Sequence, residues 1–256
     1  MLVFERVSRR FGAKAAVDDV SVAIPSGAFV GVIGRSGAGK STLLRMTNRL
    51  VDPSQGRILF DGVDVTRLSG QALRDWRADC AMIFQQFNLV GRLDVLTNVL
   101  MGRLNKVSTL RGVLRAWSAE DKVMALSALE QFDIAGLAAQ RADRLSGGQQ
   151  QRVAIARALA LEPKIMLFDE ATASLDPELT GEVLNVMRAL AADGMTMVIV
   201  THEIGFAASI GRKIAFLDKG RVLLAGAPQD VFRKPRHPRI DQFLDTYLDR
   251  GAAMLI

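Results

Sequence analysis

The sequence has 256 residues, of which 49% are hydrophobic and 23% charged, so it can bury a full core and is not a disordered chain. The net charge of +6 is spread along the chain without an aromatic-and-basic recognition motif, which argues against nucleic acid as a partner. One cysteine, Cys80, excludes an intrachain disulfide and fits a reducing compartment. No apolar run reaches the roughly 18 residues of a membrane span and the N-terminus lacks a signal-peptide pattern, so we expect a soluble, cytosolic protein.

The N-terminal quarter of the chain contains three stretches in which apolar and polar residues alternate. They are LVFERVSRRF (residues 2–11), VDDVSVAI (17–24) and GRILFDGVDV (56–65). Alternation with a period of two is typical of strands that bury one face. These stretches predict an antiparallel β layer.

Three short, almost wholly apolar runs predict buried strands. They are FVGVIG (29–34), KIMLFDE (164–170) and TMVIVTHE (196–203). Each leads into a polar or glycine-bearing turn and then a helical pattern, which is the rhythm of a parallel sheet covered by helices. We expect functional residues at the carboxyl ends of these strands.

The segment from about Gln86 to Leu159 is mostly helical in pattern, with AEDKVMALSALEQFDI (119–134) as its clearest amphipathic stretch. We interpret it as a helical subdomain inserted into a single domain that covers residues 1–256. The tail after Gly226 has room for a helix or two.

The segment GRSGAGKST, Gly34 to Thr42, matches the phosphate-loop pattern G-x-x-x-x-G-K-[ST] and follows a predicted strand. Its glycines let the backbone wrap around phosphate. Lys40 is expected to be a solvated ligand of the β- and γ-phosphates, and Ser41 to offer its hydroxyl to Mg²⁺. The candidate nucleotide-binding residues here are Gly34, Arg35, Ser36, Gly37, Ala38, Gly39, Lys40, Ser41 and Thr42.

Two further predicted strands end in side chains that can bind a metal ion, activate water or bind phosphate. In IMLFDE, Asp169 can hold the shell of a Mg²⁺ ion, and Glu170 can orient or deprotonate an attacking water. His202 closes the third apolar run, where its side chain could reach a γ-phosphate.

A second candidate anion site lies in LSGGQQQRVAIARAL, residues 145–159, which places two glycines at the start of an apparently amphipathic helix. Free amides and the positive dipole end make such a helix start attractive to phosphate. The candidate residues are Ser146, Gly147, Gly148 and Gln149.

Taken together, these motifs resemble the nucleotide-binding subunits of ABC transporters over essentially the full length. By that resemblance, Gly34–Thr42 is the Walker A motif, Gln85 the Q-loop, Leu145–Gln149 the signature motif, Ile165–Asp169 the Walker B motif and Ser174–Asp176 the D-loop.

The resemblance implies a role for each of several side chains. Glu170 becomes the catalytic glutamate and His202 the switch histidine, while Gln85 senses the γ-phosphate. The metal ligands are Ser41, Gln85 and Asp169. Phe11 takes the place of the adenine-stacking aromatic, although the commoner residue there is tyrosine, and a plain core ring remains the alternative for it.

The resemblance also implies an α/β fold, with a P-loop ATPase core of mostly parallel sheet, an antiparallel β layer and the helical insertion at about 86–159. ATP and Mg²⁺ are the implied cofactors. Two copies would meet head to tail, with the signature loop of one closing over the ATP held by the other. Transmembrane permease subunits, and through them a solute-binding protein, would place the chain at the cytoplasmic face of the inner membrane.

The stretch NLVGRLDVLTNVLMG (88–102) most resembles the ATPases of phosphonate importers. An import ATPase for polar amino acids or phosphate and a soluble, non-transport ABC ATPase are the alternatives. A P-loop GTPase is disfavoured because NKVS at Asn105 fails the guanine-reading N-K-x-D pattern. A binding module without turnover is disfavoured by Glu170 and His202.

Overall fold

The computed structural model describes residues 1–107, 111–112, 114–233 and 237–248. These residues form two compact units. The first comprises Met1–Leu68 together with the described residues from Gly194 onward, and the second comprises Ser69–Asp193.

The chain begins with three strands and then mixes helices with strands. In chain order they are β1 (Leu2–Phe11), β2 (Lys14–Ile24), β3 (Phe29–Ile33), α1 (Lys40–Thr47), β4 (Gln55–Phe60), β5 (Val63–Asp64), α2 (Gly70–Asp79), β6 (Cys80–Ile83), α3 (Val95–Gly102), α4 (Ala119–Glu130), α5 (Gly147–Leu159), β7 (Ile165–Asp169), α6 (Pro177–Ala192), β8 (Thr196–Val200), α7 (Ile204–Ile210), β9 (Lys213–Asp218), β10 (Arg221–Gly226), α8 (Pro228–Phe232) and α9 (Pro238–Leu248).

The first unit contains the antiparallel layer, in which the strand order is β2-β1-β4-β5. Every pair in it is antiparallel, as the alternating patterns predict. The buried side of β1 is formed by Leu2 and Phe4 and, after an irregularity in the pairing, by Val7. The burial of one face gives the alternation its physical cause.

The first unit also contains buried parallel strands. β3 pairs in parallel with β8 on one side and β9 on the other, and β10 is antiparallel to β9. All five residues of β3 and of β8 are buried, which explains their continuous apolar sequences. Beside this sheet, α7, α8 and α9 contribute to an apolar cluster in which the Phe216 and Phe243 rings meet edge to face with centroids 5.3 Å apart.

Among its described residues, the second unit contains the parallel pair β6 and β7 and the helices α2 to α6. Helix α5 contacts α3, α4 and α6. Its residues 153–156 are buried one after another, so the helix is enclosed on several sides and its interpretation as amphipathic is wrong. Alanines at alternate positions let the neighbouring helices approach closely.

Helix α4 begins with a reciprocal cap in which Ser118 and Asp121 each bond the other's backbone amide. Asp121 also accepts a 2.9 Å hydrogen bond from Nε of Arg103, and both side chains are buried. The other end of the Arg103 guanidinium donates to the Ala160 carbonyl at 2.9 Å. The ion pair therefore ties the start of α4 to the end of α5.

The predicted α/β fold, with parallel strands, an antiparallel layer and helices, is confirmed. Strands β6, β9 and β10 were not predicted. The single domain over 1–256 and the boundaries of the helical insertion, about 86–159, stay predictions. Residues 108–110 and 113 of that insertion lie outside the described residues, as do 234–236 and 249–256 of the predicted helical tail. Within the part of the chain that the structure describes, no helix combines the length and apolar character needed to cross a membrane.

Candidate functional site

The glycine-rich loop between β3 and α1 depends on two close backbone approaches. A Cβ added at Gly34 would overlap the carbonyl oxygen of Leu217, and one added at Gly39 would overlap that of Ala16. Both glycines also have positive φ, +146° and +102°, where L side chains are strained. Between them, Arg35, Ser36 and Gly37 are exposed, and a loop of this shape fits a phosphate group.

Lys40, the first residue of α1, folds back over this loop. Its Nζ donates hydrogen bonds to the carbonyl oxygens of Gly34 at 2.8 Å and Arg35 at 3.1 Å. The residue is only 5% exposed, so the expectation of a solvated lysine is wrong: the loop carbonyls satisfy its ammonium. Ser41 and Thr42 follow in the first turn of α1, where backbone amides have no intrahelical acceptor and favour an anion.

His202 lies at the same edge of the sheet as the loop. Val32 of β3 pairs with Val200 of β8, and two residues further on each strand lead to Gly34 and His202. The His202 side chain is exposed. The structure thus brings the phosphate loop and this histidine together at the carboxyl ends of neighbouring strands.

Phe11 ends β1 with half of its surface exposed, at 50%, so it is not a core ring. The guanidinium carbon of Arg9 lies 4.6 Å from the centre of the ring, a cation–π distance. Nη1 of Arg9 also donates to the Asp52 carbonyl at 2.9 Å. Sequence reasoning missed this partner of Phe11, although the spacing of two residues along a strand places both side chains on one face.

In the second unit the strand register brings Gln85 level with Glu170. Ile83 of β6 pairs with Phe168 of β7, and each of the two side chains lies two residues beyond that pair. Asp169 is buried at the end of β7. Glu170 is partly exposed and has a φ of +53°, a backbone conformation that costs a non-glycine residue about 1–3 kcal/mol and is concentrated at functional sites.

The signature segment forms a capped helix start. The Ser146 hydroxyl accepts a hydrogen bond from the Gln149 amide at 3.3 Å, and Oε1 of Gln149 accepts one from the Ser146 amide at 3.0 Å. A Cβ at Gly147 would lie 3.2 Å from Leu175 Cδ2 and 3.7 Å from Phe87 Cζ. The glycine therefore lets the segments that follow Gln85 and Ala173 approach the helix start.

The structure places the predicted residues in two groups. The phosphate loop, His202 and Phe11 belong to the first unit, and Gln85, Asp169, Glu170 and the signature segment belong to the second. Among the described residues, no cluster of three or more His, Cys, Asp or Glu side chains is arranged to hold a metal ion. The predicted ligands are instead a hydroxyl, an amide and a single carboxylate, an all-oxygen set that suits Mg²⁺ when phosphate oxygens complete its shell.

Comparison with known proteins gives the family. The family model described as ABC transporter matches residues 17–173, more than half of the chain. The chain belongs to the ABC transporter family.

Curated relatives extend the likeness over most of the sequence. The chain is 62% identical over 229 residues to the phosphonates import ATP-binding protein PhnC of Bradyrhizobium diazoefficiens, covering 89% of this chain and 85% of that protein. It is 53% identical over 232 residues to the protein of the same name from Rhizobium meliloti, covering 90% and 83%.

Solved structures of ABC cassettes share the fold. The dimeric structure of the bacterial ABC transporter cassette MJ0796 has a TM-score of 0.78 and 34% identity, covering 89% of this chain and 99% of that one. The ADP conformation of the cassette MJ1267 has a TM-score of 0.81 and 26% identity, covering 97% and 98%.

Proposed function

We propose that this chain is the ATP-hydrolysing subunit of an ABC importer for phosphonates. The observation that carries the proposal is its identity of 62% to a relative named as a phosphonates import ATP-binding protein. Three features support ATP hydrolysis. They are the phosphate loop, the paired carboxylates after β7 and the capped start of the signature helix.

The phosphate loop binds the triphosphate. Lys40 exchanges the carbonyls of Gly34 and Arg35, its acceptors in this structure, for β- and γ-phosphate oxygens. The amides from Arg35 to Thr42 surround the phosphates, and Phe11 stacks on the adenine. Because Arg9 covers one face of the Phe11 ring, the base stacks on the other face.

The Ser41 hydroxyl, the Gln85 amide oxygen and the Asp169 carboxylate would hold Mg²⁺, which would supply positive charge against the charge that develops on the phosphates. Glu170 accepts the proton of the attacking water as general base. His202 donates a hydrogen bond to the γ-phosphate. Its place at the sheet edge beside the phosphate loop supports this role.

Two copies of the chain make the complete enzyme. In a head-to-tail pair, Ser146, Gly147, Gly148 and Gln149 of one copy contact the γ-phosphate held by the other, and two-fold symmetry makes the arrangement reciprocal. The dimeric form of the related cassette MJ0796 supports this assembly. One chain carries only one phosphate loop and one signature segment, so each copy needs the other.

The dimer binds transmembrane permease subunits at the cytoplasmic face of the inner membrane, and a solute-binding protein acts on it only through the permease. Nucleic acid is not a partner. The whole chain, 1–256, serves as one ATP-binding domain. The groove formed by the Q-loop and the start of the helical insertion, about Gln86 to Gly102, binds the permease.

An importer for polar amino acids or for phosphate is the alternative within the family, because the ATPase subunit does not touch the solute. A soluble, non-transport ABC ATPase is a further alternative, which copurification with a membrane protein would exclude. Deleting the gene tests the solute. We expect loss of growth on a phosphonate as the sole phosphorus source and normal growth on phosphate, with rescue by the wild-type chain and none by Lys40→Ala. Unimpaired growth on phosphonate would contradict the proposed solute.

A further inference from the structure

The loop between β6 and α3 is held by side chains from the turn after β7, from α3 and from α5, all in the second unit. Ser174 Oγ donates to the Gln85 carbonyl at 3.3 Å. Asn98, in α3, exchanges two hydrogen bonds with the backbone of Val90, at 2.8 and 3.2 Å. Between these anchors the loop is held by Arg157 of α5.

The Arg157 guanidinium donates hydrogen bonds to two consecutive peptide carbonyls. Its Nη1 donates to Asn88 at 2.6 Å and its Nη2 to Phe87 at 3.1 Å. Asn88 has a φ of +52°, so the backbone bends at one of the two residues whose carbonyls accept these hydrogen bonds. The planar, two-pronged geometry of arginine matches adjacent acceptors in a way that the single ammonium of lysine does not.

Partial burial destabilises the charged form of Arg157. Burial lowers the pKa of its guanidinium, and in the part of the chain that the structure describes no carboxylate lies within ion-pair distance of it. A partly desolvated cation whose acceptors are neutral carbonyls depends on both hydrogen bonds being well formed. The energetic balance therefore favours a fixed geometry between α5 and the loop.

Helix α5 lies beside this loop along its length. At its start, Gly147 leaves room for the Phe87 ring, whose Cζ would lie 3.7 Å from a Cβ built on that glycine. Arg157 holds the Phe87 carbonyl ten residues later, about 15 Å along the helix axis at 1.5 Å per residue. Because an α-helix is rigid along its axis, a displacement of the helix start along that axis is transmitted to the loop through the hydrogen bonds of Arg157.

We infer that Arg157 is a positioning residue that makes the loop following Gln85 move with the signature helix. The inference rests on the proposed function, because it requires the start of α5 to contact a γ-phosphate. The hydrogen bonds of Arg157 then couple that contact to the loop. When phosphate contacts at Ser146 and Gly147 draw the helix, the two carbonyl bonds carry residues 86–91 with it. Without the guanidinium, the helix responds to ATP and the loop does not.

Amide hydrogen exchange of the isolated chain tests this directly. In a Glu170→Gln background that retains ATP, we expect Mg-ATP to slow exchange in both the first turn of α5 and residues 86–91. Arg157→Met should keep the response of α5 while reducing that of the loop about tenfold, the scale of a lost charged hydrogen bond. Arg157→Lys should reduce the loop response less, because one carbonyl can still be held.

Arg188→Met is the matched control, since Arg188 is an exposed arginine on α6 that bonds its own helix through Asn185. It should leave both responses unchanged. A loop response in Arg157→Met equal to that of the parent overturns the inference, as does a parent whose loop does not respond to ATP. Joint loss of both responses with a lowered melting temperature, in both the Met and the Lys variants, also overturns it, because Arg157 would then support the fold in general.

The same variants separate this inference from the proposed solute. Reconstituted with permease and solute-binding protein, Arg157→Met should hydrolyse ATP with unchanged KM but transport less solute per ATP, and Arg157→Lys should restore part of that ratio. If phosphonate fails to stimulate even the wild-type complex, the proposed function fails, whereas the exchange result on the isolated chain still decides the role of Arg157.

Discussion

The guanidinium of Arg9 lies over the ring of Phe11, 4.6 Å from its centre, while Arg9 is itself tethered to the Asp52 carbonyl. The pair leaves one face of the half-exposed ring covered and the other available. A base that stacks on the open face meets a ring whose orientation is already fixed, so less freedom is lost on binding.

Removing the Phe11 ring should weaken the binding of nucleotides by a similar amount whichever base they carry. For Phe11→Ala we expect about 1–3 kcal/mol, or 5- to 150-fold, in the Kd of ATP, and a similar loss for GTP, since stacking tolerates any base. Phe11→Tyr should bind like the wild type. Arg9→Met should cost less, about 0.5–1 kcal/mol, and Arg10→Met, next along β1, nothing. Calorimetric titration gives these values, and an unchanged Kd in Phe11→Ala would remove Phe11 from the binding site.

The last two glycines of the phosphate loop, Gly37 and Gly39, predict different outcomes for the same substitution. A Cβ at Gly37 meets no atom within 4 Å, whereas one at Gly39 overlaps the Ala16 carbonyl oxygen. Both have positive φ, so Gly37→Ala should cost only the conformational strain of about 1–2 kcal/mol. Gly39→Ala should lower the melting temperature further and abolish ATP binding. Equal melting temperatures of the two variants would show that the close approach does not matter.

The sequence was most informative where the physical constraint is local. Continuous apolar runs predicted β3, β7 and β8, because strands buried on both faces contain few polar residues. The spacing of its glycines predicted the phosphate loop. β6, only Cys80–Ile83, is too short to show a period. In β9 the buried apolar run is only four residues long, between a lysine and an aspartate, and β10 has a largely exposed, mixed surface. The burial of Lys40 and the grip of Arg157 on the loop depend on tertiary contacts between distant residues, which no local pattern contains.

Glu170 should control chemistry and not binding. Glu170→Gln keeps the size of the side chain and its position after β7 but removes the basic oxygen, so kcat should fall by about 10²–10⁴. The Kd of ATP should stay close to that of the wild type. Single-turnover hydrolysis after mixing with Mg-ATP measures the chemical step. Wild-type turnover in this variant would assign the general base to another residue.

The buried Arg103–Asp121 pair should make stability depend on pH. The Ser118 hydroxyl and then the Arg103 guanidinium lower the pKa of Asp121, so the carboxylate binds protons more readily in the unfolded chain. Its stabilising contribution is fully present above the ordinary pKa of an aspartate and is lost as the pH falls through the lowered native pKa.

Asp121→Asn should therefore flatten the decline of the melting temperature with acidity. Arg103→Met, which leaves a buried carboxylate without its cation, should cost about 3–5 kcal/mol of unfolding free energy near neutral pH. Asp143 is a matched control: Arg141 lowers its pKa too, but that pair is exposed, so Asp143→Asn should change little. An acid profile of Asp121→Asn that superimposes on the wild type would contradict the assignment.

Ser146 offers the sharpest test of which copy's ATP the signature segment serves. Because Asp and Asn both cap a helix as well as Ser does, Ser146→Asp and Ser146→Asn preserve the start of α5 and differ in one charge. Gly147 is less suitable, since a side chain there would first meet Leu175 of the same chain. If the segment contacts the γ-phosphate of the other copy, neither variant should weaken ATP binding by the monomer.

In the Glu170→Gln background, Mg-ATP should then drive the Asn variant to a dimer in sedimentation velocity and leave the Asp variant monomeric, because its carboxylate faces a like charge in a partly desolvated site. With Glu170 intact, mixing Ser146→Asp with Lys40→Ala should restore part of the hydrolysis, since a head-to-tail heterodimer gathers both lesions at one site and leaves the other whole. If the Asp variant loses monomer ATP affinity as severely as Lys40→Ala does, the segment serves its own chain and the head-to-tail assignment is wrong.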